Sequence, residues 1–169
     1  SLARFFKAMQ NVRPGATLEI ISPSDVEMVG KIFQTCDIEK GAWTMHRLPH
    51  HEVPAALAAC DAGLHFLSPG INARVGSPTK IGEYWACGLP VVTTPDVGDV
   101  DAVVRRERVG VVVNEDTVSA CERVADELNG LLRDENLAVR CRSAAENHYA
   151  LERGVSTQLA LYEQLSTRN

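Results

Sequence analysis

The sequence predicts a doubly wound α/β domain, with a mostly parallel sheet and helices on both of its faces. Three observations carry that expectation. Short β-rich runs alternate with stretches of helical apolar spacing. The strand segments are apolar along most of their length, as strands covered on both faces are. The chain has 169 residues, 45% of them hydrophobic and 23% charged, which suits a single domain with a real buried core.

The elements follow in order. Leu2, Phe5, Phe6 and Met9 stand at helical spacing, and Arg13-Pro14-Gly15 breaks that helix. Residues 17–21 form a β-rich run ending in Ser22-Pro23-Ser24-Asp25, where Ser24 or Asp25 can cap the next helix. Val26, Val29, Ile32 and Phe33 give that helix one apolar face. A strand at 43–48, a helix at 50–60 and an apolar strand at 62–67 come next, followed by a loop over 68–77. A helix over 78–87 has Pro78 at the favoured first position and Gly88 as its C-cap. The strand at 89–94, the helix at 99–106 and the strand at 109–113 complete the alternation. Three helices close the chain: a stripe of Val118, Cys121, Val124, Ala125, Leu128 and Leu132, then 135–149, then 155–165. No repeat, low-complexity segment or linker interrupts this, so residues 1–169 read as one domain.

Composition excludes several function classes. A net charge of −5 argues against a nucleic-acid or anionic-membrane partner, which needs a concentrated positive field. No apolar run approaches the roughly 20 residues of a membrane span. The first residues, which begin Ser1-Leu2-Ala3-Arg4 without a methionine, lack a signal-peptide pattern. Five scattered cysteines with no C-x-x-C spacing read as reduced thiols of a cytoplasmic protein, neither a disulfide framework nor a zinc site. The five histidines show no ligand spacing, and no metal site is expected. Arg105-Arg106-Glu107-Arg108 reads as a solvated helix end, with a phosphate site as the sharper alternative.

In open α/β sheets ligands bind at the carboxyl ends of the strands, and anions favour the N-terminus of a following helix. The junction from Phe66 to Val92 stands out on that criterion. An apolar strand runs into a long polar loop, then a capping Ser77 and Pro78. The first turn of the helix leaves backbone N–H groups free; Thr79 adds a hydroxyl and Lys80 a full positive charge. Glu83 stands one turn further on the same side, and its two oxygens suit the vicinal hydroxyls of a ribose. These residues sketch a nucleoside diphosphate. They also read as an ordinary helix start with a surface Lys80–Glu83 pair worth at most about 0.5 kcal/mol, and on local chemistry both readings stay open.

The stretch Ser77-Pro78-Thr79-Lys80-Ile81-Gly82-Glu83-Tyr84-Trp85-Ala86-Cys87-Gly88-Leu89-Pro90-Val91-Val92 resembles the signature of retaining glycosyltransferases of family 4, the group 1 type, in its S-P-T-K-x-x-E-Y subgroup. The neighbours resemble the same family: the helix–strand unit from His51 to Leu64, Val97-Gly98-Asp99 followed by Val109 to Val113, and Tyr162 in the last helix. The resemblance implies a Rossmann-like domain, the C-terminal half of a GT-B fold, which binds a nucleotide-sugar donor. It implies transfer of a sugar from a nucleotide diphosphate sugar to an acceptor hydroxyl, with no cofactor and no metal. It assigns Glu83 to the donor ribose, and Ser77, Thr79 and Lys80 to the diphosphate. Arg47 falls where the family receives the base, and Asn72, Arg74 and Gly76 line the loop beside the donor sugar.

Two departures stand against the pattern. Many members carry an E-x7-E pair, and the first position of that pair is Val75 here, so the residues that contact the transferred sugar are open and no catalytic residue is assigned. The family's domain also begins with a strand and a Gly-containing turn, whereas this sequence starts at the helix that follows them. The expectation is therefore a sheet with a gap at its centre. The chain is expected to be a fragment, inactive alone, whose partners are the donor and an N-terminal acceptor domain, with any membrane contact made by that other domain. The alternatives are a GT-B sugar-nucleotide epimerase and a non-catalytic flavodoxin-like binding module.

Overall fold

The structure, a computed structural model, describes residues 1–166. Helix α1 (Leu2–Val12) leads to strand β1 (Leu18–Ile21), helix α2 (Val26–Gln34) and strand β2 (Trp43–His46). Helix α3 (Val53–Ala58), strand β3 (Gly63–His65), the single turn α4 (Ile71–Arg74), helix α5 (Thr79–Ala86) and strand β4 (Val91–Thr93) follow. Helix α6 (Val100–Glu107), strand β5 (Gly110–Val112) and helices α7 (Val118–Leu131), α8 (Leu137–Tyr149) and α9 (Leu151–Ser166) complete the described chain. Every strand pairing among the described residues is parallel.

The sheet is interrupted. β1 pairs with β2, and β3–β4–β5 form a second sheet, with no ladder joining the two among the described residues. Both β1 and β3 therefore keep an open edge, the gap that the family resemblance implies. Apolar packing crosses where hydrogen bonds do not. Phe6 and Ala3 of α1 pack with Leu18, Phe33 and Trp43 of the first sheet and α2. Phe5, Ala8 and Met9 of the same helix pack with Val92, Val111, Val124 and Leu128 of the second sheet and α7. Leu64 of β3 touches both clusters.

The second sheet is covered on both faces, which explains its apolar strands. Successive side chains point to opposite sides. Val92, Val111 and Val113 face α1 and α7. Val91 and Val112, with Val109 just before β5, face the other layer, where Ile81 and Trp85 of α5 meet Val100, Val103 and Val104 of α6 and Cys141, Ala144 and Ala145 of α8.

Several sequence expectations need correction. The helix expected over 50–60 is a 3₁₀ turn, His50–Glu52, followed by the six residues of α3. The loop over 68–77 contains α4, closed by the Ala73 and Arg74 N–H groups on the Gly70 carbonyl; one turn is too short to show a period. Asp25 caps α2, accepting from the Glu27 N–H at 2.8 Å, but Val26 and Ile32 on the expected apolar face stay exposed. The last helix starts at Leu151, earlier than expected, and every residue of it is exposed, Tyr162 included. No helix among the described residues is long and apolar enough to cross a membrane. All five cysteines are free thiols; burial pushes Cys141 up to about 11, so it stays protonated in the core.

Candidate functional site

The loops after β3 and β4 lie together at the carboxyl ends of the second sheet, and four contacts lock them. Thr94 Oγ1 accepts from the Leu67 N–H and donates to the Leu67 carbonyl, each at 3.1 Å. The Gly98 N–H donates to the Ala73 carbonyl of α4 at 3.0 Å. Arg74 Nη2 lies 3.5 Å from Asp96 Oδ2. Gly98 itself approaches the Gly76 backbone so closely that a Cβ would stand 2.3 Å from the Gly76 carbonyl oxygen, and its φ of +51° is in the left-handed region. Gly98→Ala is therefore expected to cost about 1–3 kcal/mol in denaturant unfolding, through strain and overpacking together. A variant as stable as the parent would show that the two loops are not in contact.

Helix α5 divides the sequence signature into two faces. Ile81, Gly82 and Trp85 are buried. Trp85 Nε1 donates to the Val109 carbonyl at 3.1 Å, and its ring meets Tyr149 edge-on at 5.8 Å. A Cβ on Gly82 would run into the Tyr149 ring, and one on Gly63 into the Tyr84 ring, so both glycines are spaces filled by an aromatic. Tyr84 Oη also reaches the Leu64 carbonyl at 3.5 Å. The signature glycine and aromatics thus fix α5 against α8 and β3.

The other face of α5 is exposed and carries Thr79, Lys80 and Glu83. Lys80 and Glu83 form no ion pair with each other, or with any other group, among the described residues. The surface-pair reading of these residues is therefore not realised. The helix begins at Thr79 with Pro78 as N-cap and no side-chain cap, so the N–H groups of Thr79 and Lys80 have no carbonyl a turn behind them. Ser77 is not the cap, as the sequence suggested. Its hydroxyl meets Tyr149, whose phenol is raised mainly by burial and lowered in part by that contact.

The remaining sequence-derived residues divide. Asn72, Arg74 and Gly76 do lie on and beside α4, next to the start of α5; Asn72 and Arg74 are exposed. Val75, where the family pattern has a glutamate, is 79% exposed on the same loop. Arg47 follows β2 and donates through Nη2 to the Pro23 carbonyl at 2.6 Å, tying the end of β2 to the loop after β1. That bond gives Arg47 a structural use on the smaller sheet. Sequence reasoning missed His65, the last residue of β3. Alternation puts Leu64 in the α1–α7 layer and Gly63 against Tyr84, so His65 shares the α5 side. A histidine inside an otherwise apolar strand, twelve residues before the signature, was the available signal.

The glycosyl transferases group 1 family matches residues 1–134. The chain belongs to the group 1 glycosyl transferases. Solved structures agree on the fold of this glycosyl transferase chain. It is similar to sucrose-phosphate synthase from Thermosynechococcus elongatus, with a TM-score of 0.71 and 19% identity over 99% of this chain and 43% of that one. It is also similar to WaaG, a glycosyltransferase involved in lipopolysaccharide biosynthesis, with a TM-score of 0.64 and 18% identity over 88% of this chain and 40% of that one. The group 1 chain thus spans less than half the length of either structure. No curated protein matches it significantly. The Rossmann-like, GT-B-type fold expected for a C-terminal domain is the fold found.

Proposed function

We propose that this chain is the donor-binding domain of a retaining glycosyltransferase, which moves a sugar from a nucleotide diphosphate sugar to an acceptor hydroxyl. The observation that carries this reading is the exposed face of α5: a helix start with no side-chain cap, and Lys80 and Glu83 without an ion-pair partner among the described residues, on a helix whose other face is fixed by Trp85 and Gly82. The diphosphate lies at Thr79 and Lys80, near Ser77. The leaving nucleotide gains negative charge in the transition state, and a preorganised helix start with a lysine is suited to receive it. That positive charge comes from the protein, so the reading requires no metal cofactor. Glu83 accepts from the ribose hydroxyls. Arg47 lies toward the base, and Asn72, Arg74 and Gly76 line the side of the transferred sugar. In the whole enzyme, a second domain supplies the acceptor site across a cleft, and the enzyme works in the cytoplasm; the coverage of less than half of either matched structure supports the two-domain part.

Lys80→Ala tests the diphosphate assignment. Removing a charged hydrogen-bond partner costs about 1.5–3 kcal/mol, or roughly ten- to a hundredfold in affinity. That loss is expected in calorimetric titrations with UDP, GDP or ADP, whichever binds, and not with the matching nucleoside. Equal losses for nucleotide and nucleoside would contradict a phosphate role. Retention is tested separately, by the anomeric configuration of the first product formed by the whole enzyme.

A further inference from the structure

We propose that His65 is the second cation of the α5 site, neutral while the site is empty and protonated when a diphosphate binds beside Lys80. The inference rests on the donor-site reading above and adds a regulatory property to it. The placement comes from the backbone. His65 ends β3 opposite Thr93 of β4, at the carboxyl edge of the sheet where the loop toward α5 begins. It lies on the α5 side of β3, and its Nδ1 is buried with no hydrogen-bond partner among the described residues. A buried polar atom without a partner is costly and rare enough to need an explanation.

The groups around it decide its charge. From α5 the charged group that acts on it is Lys80, and from β4 the paired residue is Thr93, which does not titrate. Burial holds the imidazole below its ordinary value and the positive charge of Lys80 lowers it further, offset only in part by the residue's own backbone. An empty site thus places a neutral histidine next to a lysine. A diphosphate brings two negative charges to that lysine and reverses the sign of the local field, which favours the imidazolium. The ligand-bound form then holds its proton more tightly than the free form, so binding takes up a proton from solvent. Affinity must rise as pH falls through the window between the two values. No bond is made or broken, and the proton returns to solvent when the nucleotide leaves.

The test is calorimetry of the chain with UDP-glucose, GDP-mannose and ADP-glucose near pH 7, in buffers of different ionisation enthalpy. Nucleotide sugars are the right probe because their diphosphate is esterified at both ends and lacks the terminal phosphate proton that titrates near pH 6. The expected result is uptake of up to about one proton per ligand. Affinity is expected to rise about three- to tenfold from pH 8 to pH 6, because one linked proton changes affinity by at most about tenfold for each step of one in pH. His65→Gln and His65→Asn keep a polar side chain that does not titrate; both are expected to bind with no uptake and a flat pH profile. Binding by the parent chain without proton uptake overturns the role of His65 and leaves the donor site standing, as does uptake unchanged in the two variants. Failure of all three nucleotide sugars to bind overturns the donor site and the role of His65 together.

Discussion

Replacing Trp85 by alanine is expected to cost about 3–5 kcal/mol from the lost packing of a fully buried indole. The Val109 carbonyl loses the indole donor but keeps the Val91 N–H at 3.1 Å, so the lost hydrogen bond adds about 0.5–1.5 kcal/mol. A domain of this size holds only about 5–15 kcal/mol in total, so the variant stands near the unfolding threshold. The damage falls on the site as well. Trp85 packs α5 onto Tyr149 on the side opposite Lys80 and Glu83, so an α5 without its indole anchor no longer presents the two charges in one geometry. Trp85→Phe separates the two contributions, keeping an aromatic ring and losing the hydrogen bond. Urea unfolding of the three proteins measures both steps; a loss below about 1 kcal/mol for alanine would show that α5 is held by something other than this contact.

Glu83→Ala is expected to leave stability almost unchanged and to weaken nucleotide binding at least about tenfold. The carboxylate is exposed and has no partner among the described residues, so its removal orphans nothing in the empty protein. Surface substitutions of that kind stay within about 0.5 kcal/mol in stability. A large loss of binding beside intact folding distinguishes a ligand residue from a structural one. Parallel titration of Glu83→Gln checks the role of charge: an amide keeps one acceptor oxygen and offers donors where the ribose hydroxyls need acceptors.

The alternation of strands and helices was legible in the sequence because both layers of the second sheet are apolar, and Val91 and Val92 show it by facing opposite cores. The site was legible for a related reason. In the signature, Ile81, Gly82 and Trp85 record packing, while Lys80 and Glu83 are charges that no packing requires. What escaped the sequence depends on tertiary contact. Ser77 looks like a cap in isolation, but its hydroxyl is drawn to Tyr149, more than seventy residues away. Arg47 looks free until the Pro23 carbonyl is brought beside it by the pairing of β1 with β2. His65 looks like an irregularity in an apolar strand until strand alternation places it on the α5 side. Val26 and Ile32 have the spacing of a core face, yet both stay more than half exposed.

The central claim is that Glu83 holds the ribose of a bound nucleotide, and a cycle between protein and ligand tests it most directly. Affinities are measured for the parent chain and Glu83→Ala, each with the nucleoside diphosphate that binds and with its 2′-deoxy form. If the carboxylate and the hydroxyl touch, removing either should weaken binding to the parent pair, and removing the second should then cost almost nothing, giving a coupling of about 0.5–3 kcal/mol. Losses that add in full, with the deoxy ligand penalised as much in Glu83→Ala as in the parent, would contradict it.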